Sequence, residues 1–183
     1  MAGIYSDVRK AVRRAAIGSL LDFFPDTVTQ DKAIIFSNSN GLEPAESYVV
    51  INILSIEQQG HASTSTQTTT NFDILVQGCY EIMCQFSFIG SLSGDMAQSF
   101  TQRINNNPLS LEAISRNKLG LMRKSQIRRA PQKRDTKWVE YHNMDVTFNY
   151  IVNTEQVVDW IESVIVDSEQ TGVFTIPEGV VIP

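Results

Sequence analysis

From Phe72 to Phe88 apolar and polar side chains alternate in one phase, and this run limits the possible folds more than any other feature. Phe72, Ile74, Val76, Tyr80, Ile82, Cys84, Phe86 and Phe88 hold even positions, while Asp73, Gln77, Glu81, Gln85 and Ser87 hold odd ones. A period of two predicts a strand with one apolar face, at about three times the usual strand length. Another long strand is predicted where Trp138, Met144, Val146, Phe148, Tyr150 and Val152 alternate against Lys137, Asn143, Asp145, Thr147 and Asn149. The Val- and Ile-rich run Tyr48 to Ile56 reads as a central strand. The tract that joins it to the Phe72 strand, Gln58 to Asn71, is nearly all Gln, Ser and Thr. Such a composition buries little apolar surface, so a mobile hairpin tip is expected there.

Helical spacing fills the rest. Ser6 is the expected N-cap of a helix running to about Phe24, stopped by Pro25 and Asp26. Val8, Val12, Ala15, Ser19 and Phe23 share one face, with Lys10, Arg13 and Arg14 opposite. Residues 26–46 are polar and read as turns. A second helix is expected from Ser93 or Gly94 to about Arg103, and a short one from Ser110 to Ser115. The cationic stretch Leu119–Arg128 reads as an edge strand. Residues 157–167 fit either a helix or a strand, and their β-branched content favours a strand after one helical turn. The expected class is α+β: a mainly antiparallel sheet with long hairpin strands, packed by an N-terminal helix and one or two further helices. Residues 1–168 form one domain in this reading, and residues 169–183 a C-terminal arm.

Size and composition exclude several classes. A chain of 183 residues buries roughly 70% of its unfolded surface, so neither a metal nor a disulfide is needed for stability. Cys79 and Cys84 are the only cysteines, and their odd separation places them on opposite strand faces. That argues against a disulfide framework or zinc site, and for intracellular synthesis. The apolar runs fall far short of the roughly 18 residues that suggest a membrane span.

The net charge of −5 hides a strong segregation. Residues 1–14 carry +3 and residues 15–102 carry −8, whereas residues 103–137 hold ten basic residues against Glu112 and Asp135. Residues 138–183 hold eight acids and no base. The basic segment has three readings: phosphate binding by counterion release, contact with an acidic surface of another subunit, or a solvated loop offset by acids of the same fold. A pI near 5.0 and the scarcity of interleaved aromatics, with Trp138 only bordering the run, argue against a nucleic-acid module built on residues 116–137.

Catalytic constellations are scarce. His61 lies in the Gln/Ser/Thr tract, and His142 falls on the apolar face of the last strand, where a core or interface histidine is expected. Asp135-Thr136-Lys137 with Pro25-Asp26 is the best enzymatic candidate, a metal-dependent nuclease, but both patterns are very short and far apart. The reading is therefore of a protein that is no enzyme and needs no cofactor.

The order of several pieces carries more information than any one of them. Tyr80-Glu81 through Phe86-Ser87-Phe88 is followed by Gly94-Asp95-Met96-Ala97, then Ile127-Arg128-Arg129-Ala130-Pro131, then Lys137-Trp138-Val139 and the strand to Tyr150. Over residues 45–167 this resembles the neck or tail-terminator proteins of tailed bacteriophages. The resemblance implies a structural virion protein, made in the host cytoplasm, that forms a six-fold ring at the top of the tail. Its implied partners are further copies of itself, the tail tube protein, the head connector or stopper protein, and genomic DNA passing without sequence-specific binding. A head-completion or stopper ring is the nearest alternative. Arg123, Lys124, Arg128, Arg129, Arg134 and Trp138 are the expected subunit or ring contacts, because the basic part of one subunit can face an acidic part of the next.

Overall fold

A computed structural model describes residues 3–39, 43–44, 46–68 and 72–157. The elements are α1 (Ile4–Ser19), α2 (Thr27–Ala33), β1 (Ile34–Phe36), β2 (Tyr48–Gln58), β3 (Ser63–Thr68), β4 (Phe72–Ile89), α3 (Ser93–Asn106), α4 (Pro108–Arg116), β5 (Leu119–Lys124), β6 (Arg128–Arg129), β7 (Gln132–Arg134), β8 (Lys137–Val139) and β9 (Tyr141–Val157). The chain divides into two compact units, residues 1–63 with 77–153, and residues 64–76 with 154–183.

In the first unit, strands run in the order β1-β2-β4-β9-β5, with β6 also on β9. The pairings β2–β4, β5–β9 and β6–β9 are antiparallel, and β1 joins β2 in parallel. This is the α+β architecture the alternation predicts. The alternation also determines what lies inside: Ile82, Cys84, Phe86 and Phe88 of β4, and Met144, Val146, Phe148 and Tyr150 of β9, are all buried. Val49 and Ile51 of β2 stand opposite Phe88 and Phe86 and complete that face. Helices α1, α3 and α4 pack on one another, and Phe100 of α3 lies against Phe86 and Phe88 at ring-centroid distances of 4.7 and 5.5 Å. Each aromatic side chain so buried contributes about 1.5–3 kcal/mol.

Several boundaries differ from the sequence reading, each for a local reason. The cap of α1 is Gly3, and Ser6 lies within the helix. The helix ends at Ser19, with Leu20 as its C-cap, and Gly18 lets α4 approach closely: a Cβ there would sit 3.2 Å from the Leu109 carbonyl oxygen. The buried Ser19 hydroxyl bonds back to the Ala15 carbonyl at 2.9 Å and meets Ser110 Oγ at 3.0 Å. Asp26 does not merely stop α1. It starts α2, accepting from Thr29 N at 2.9 Å, so the turn-like segment 26–46 contains a helix and a strand. Arg13, on the face opposite Val8 and Val12, ties α1 to that segment through the carbonyls of Ile34 and Gln30, each at 3.2 Å, and through Asp31 at 2.7 Å.

The Gln/Ser/Thr tract, read as a tip, carries a strand: β3 pairs with β4. Ladder bonds use the backbone alone, and Thr64, Thr66 and Thr68 supply the strand propensity that the hydrophobic pattern lacks. The turn after β4 requires Gly90, whose φ is +107° and where a Cβ would stand 2.8 Å from Ser47 Cα. Residues 158–167 and the C-terminal arm lie outside the described residues.

Candidate assembly interface

The basic segment folds as a border on the sheet. β5 is the edge strand, as the sequence suggests, but it ends at Lys124, and the chain returns to β9 only at β6. A bulge between Leu121 and Arg123 adds one residue to β5 and leaves Met122 exposed. Beyond β6, β7 and β8 form a separate two-stranded hairpin, closed by Asp135-Thr136 with Asp135 at φ +51°.

Four arginines of this border meet carboxylates of their own chain. Arg123 pairs with Glu81 at 3.0 Å and donates from Nε to Thr147 Oγ1 at 3.1 Å, so it reaches from β5 across β9 to β4. Arg128 pairs with Asp145. Arg129 grips Glu140 with two bonds, Nε to Oε2 at 2.9 Å and a terminal nitrogen to Oε1 at 2.6 Å. Those bonds hold the Glu140 carboxyl below its ordinary range and raise the Arg129 guanidinium above its own. Arg134 pairs with Glu43 and donates to the hydroxyls of Tyr141 and Tyr48. It thereby fastens the β7–β8 hairpin to the sheet. Burial, reinforced by the neighbouring Tyr141, pushes the Tyr48 phenol up to about 12. Lys124 turns to α3, where its ammonium donates to the Thr101 carbonyl at 2.6 Å.

The charge blocks separated along the sequence are therefore interleaved in space. Glu43 and Glu81 come from the acidic segment before the basic one, and Glu140 and Asp145 from the acidic segment after it. These carboxylates were the residues that sequence reasoning missed as partners. The strand register makes these pairs: Arg128 stands opposite Asn143 and near Asp145 of β9, and Arg129 opposite His142 and near Glu140, just before that strand.

Trp138 departs from expectation. It belongs not to the long strand but to β8, opposite Lys133, and is 71% exposed, the most of any large hydrophobic side chain among the described residues. The residues of the nuclease reading also have structural places: Asp135 forms the hairpin turn and Asp26 caps α2. Among the described residues no group of three His, Cys, Asp or Glu side chains could hold a metal. His142 is only partly buried, with Nδ1 3.0 Å from Ser93 Oγ at the start of α3. Cys79 and Cys84 are both free, and burial pushes the Cys84 thiol up to about 12, which keeps it protonated.

No helix among the described residues is long and apolar enough to cross a membrane. No curated protein matches the chain. A family model described as phage neck terminator protein matches residues 6–173, nearly the whole chain, including both long strands and the arginine border. The chain belongs to the phage neck terminator family and is a structural component of the virion neck.

Proposed function

We propose that this neck protein forms a closed homo-oligomeric ring, a hexamer, which ends the tail tube and joins it to the head connector while DNA passes through without sequence-specific binding. Synthesis in the host cytoplasm and incorporation at the top of the tail belong to the same reading. The observation that carries it is the exposed Trp138 on a hairpin bordered by Arg128, Arg129 and Arg134. An exposed indole on a short hairpin, close in the chain to Arg128, Arg129 and Arg134, has the composition of an interface anchor, since aromatic residues and arginine dominate binding energy at protein contacts. The ion pairs of the border do not oppose this role. Side chains of Arg123, Arg128 and Arg129 stay 67%, 56% and 64% exposed, and pairs in that setting exchange partners at little cost.

Replacing Arg128 and Arg129 with Glu tests the proposal. Assembly should weaken in a salt-sensitive way while the subunit stays folded, as read by mass measurement of free and tail-bound protein. Strict monomers in both states for the unaltered protein would end the ring reading. A double variant that assembled normally and lost only DNA affinity would replace the contact role with a nucleic-acid role.

A further inference from the structure

At the other end of β5, away from the arginine border, a cleft of about 230 Å³ opens between α1, the end of α4 and β9. Its walls include Lys10, Arg14, Arg116 and Lys118, with Asp7 and Tyr150. Arg14 is held toward it by Asn117 Oδ1 at 2.8 Å, and Arg116 pairs with Glu112 one turn back in α4. Lys10 and Lys118 have no ionic partner among the described residues. With Glu112 taking Arg116, the other three cations against Asp7 leave a surplus of two positive charges.

Two features of this cluster work against the isolated subunit. Lys10 and Arg14 stand four apart on one helix, a spacing at which like charges repel. Lys118 has φ +58°, at the position after a helix C-terminus where glycine or asparagine is favoured, so a lysine there is strained. A glycine would relieve the backbone and remove a cation from the cleft. Both features become useful once an anion fills the site.

We propose that the cleft is a receptor for carboxylate side chains, filled in the assembled ring by the acidic stretch 154–183 of a neighbouring copy; the proposal rests on the ring reading above. Residues 154–183 carry six acids and no base, so they supply the matching charge. The volume suits two side chains better than one small ion, because a water takes only about 30 Å³. The Asp7 wall disfavours a nucleic-acid backbone, whose closely repeated phosphates would bring surplus negative charge against it.

Zero-length carbodiimide coupling tests the contact on protein assembled from a mixture of ¹⁴N- and ¹⁵N-labelled subunits, with linked peptides read by mass spectrometry. The expected result is an amide between Lys10 or Lys118 and an acid of residues 154–183 in mixed-isotope pairs. Rings that form without such links, or with same-isotope links alone, overturn the inference and leave the ring reading standing. Absence of any assembly ends the ring reading, and this contact with it. Lys118→Gly gives a second readout: folding stability should rise or stay level while assembly at low salt weakens by about tenfold, an effect that high salt narrows. If inorganic phosphate bound saturably at the cleft and Lys118→Gly removed that binding without changing assembly, the site would be a phosphate site and the carboxylate proposal wrong.

Discussion

The helix-covered face of the sheet and its arginine border are both built from β9, yet they are held by opposite means. On the inner face Met144, Val146 and Phe148 are fully or almost fully removed from water and meet Phe86, Phe88 and Phe100 in the same core. At the border Asp145 and Glu140 meet arginines that remain more than half exposed. Apolar burial is proportional to area and is not weakened by ionic screening, so the inner face supplies stability. Exposed ion pairs are screened and nearly exchangeable, so the border adds little stability and leaves its charged groups open to other partners. A single strand thus holds the core with its even residues from Met144 to Tyr150, and with Asp145 and the flanking Glu140 it holds the arginine border.

The strongest way to break this division is Phe100→Ala. It removes the ring that touches both β4 phenylalanines and should cost about 3–5 kcal/mol in urea unfolding. A loss below about 1 kcal/mol would mean that the core relaxes around the gap and that α3 is not its anchor.

A smaller effect is expected where the inner layer is polar. Ser19→Ala leaves the buried Ser110 hydroxyl without its partner and should destabilise by about 1–3 kcal/mol. Replacing both serines with alanine should cost less than the sum of the two single changes, which a double-mutant cycle reads directly.

Between core and border stands Tyr48. Its folded phenol keeps its proton to about 12, whereas an unfolded tyrosine ionises near 10. The contribution is therefore intact below pH ~10 and is lost as pH rises through the folded value. Unfolding midpoints measured from pH 9 to 12 should fall for the natural chain, and fall less for Tyr48→Phe.

The border itself should hardly register in stability. Trp138→Ala is expected to stay within about 0.5 kcal/mol in subunit unfolding, because its side chain is already in water, while assembly weakens severalfold. The Arg129–Glu140 pair gives the smallest change. Glu140 is depressed by its hydrogen bonds to Arg129, so its contribution is present above the ordinary carboxylate range and lost as pH falls through the depressed folded value. Comparing acid titrations of the natural chain and Arg129→Gln should show a slight difference confined to that acid range. A large one would mean that the border stabilises the subunit after all.

Strands β4 and β9 were legible because burial on one face leaves a period of two in the sequence, and α3 and α4 because their apolar spacing and the Asn-Pro boundary match the helix pattern. Helix α2 was not legible, since it is short, with Val28 and Ala33 its only apolar residues, and its stability comes from the Asp26 cap, the buried Gln30 amide on the Phe24 carbonyl at 2.8 Å, and Arg13 from α1. β3 was hidden for a related reason: a strand that bonds through its backbone leaves little apolar pattern.

At the candidate interface, the order of residue types establishes which positions are cationic, that they form one block, and that acidic blocks flank them. Which acids they meet is set by the folded chain. Pairing depends on register and on crossings between strands distant in sequence, as when Arg123 reaches Glu81 over Thr147, and no local rule encodes that distance. The same holds for the cleft at Lys118. Its cations lie on α1 and at the end of α4 and the turn after it, more than a hundred residues apart, and they converge because Gly18 and Ser19 let α1 pack closely on α4.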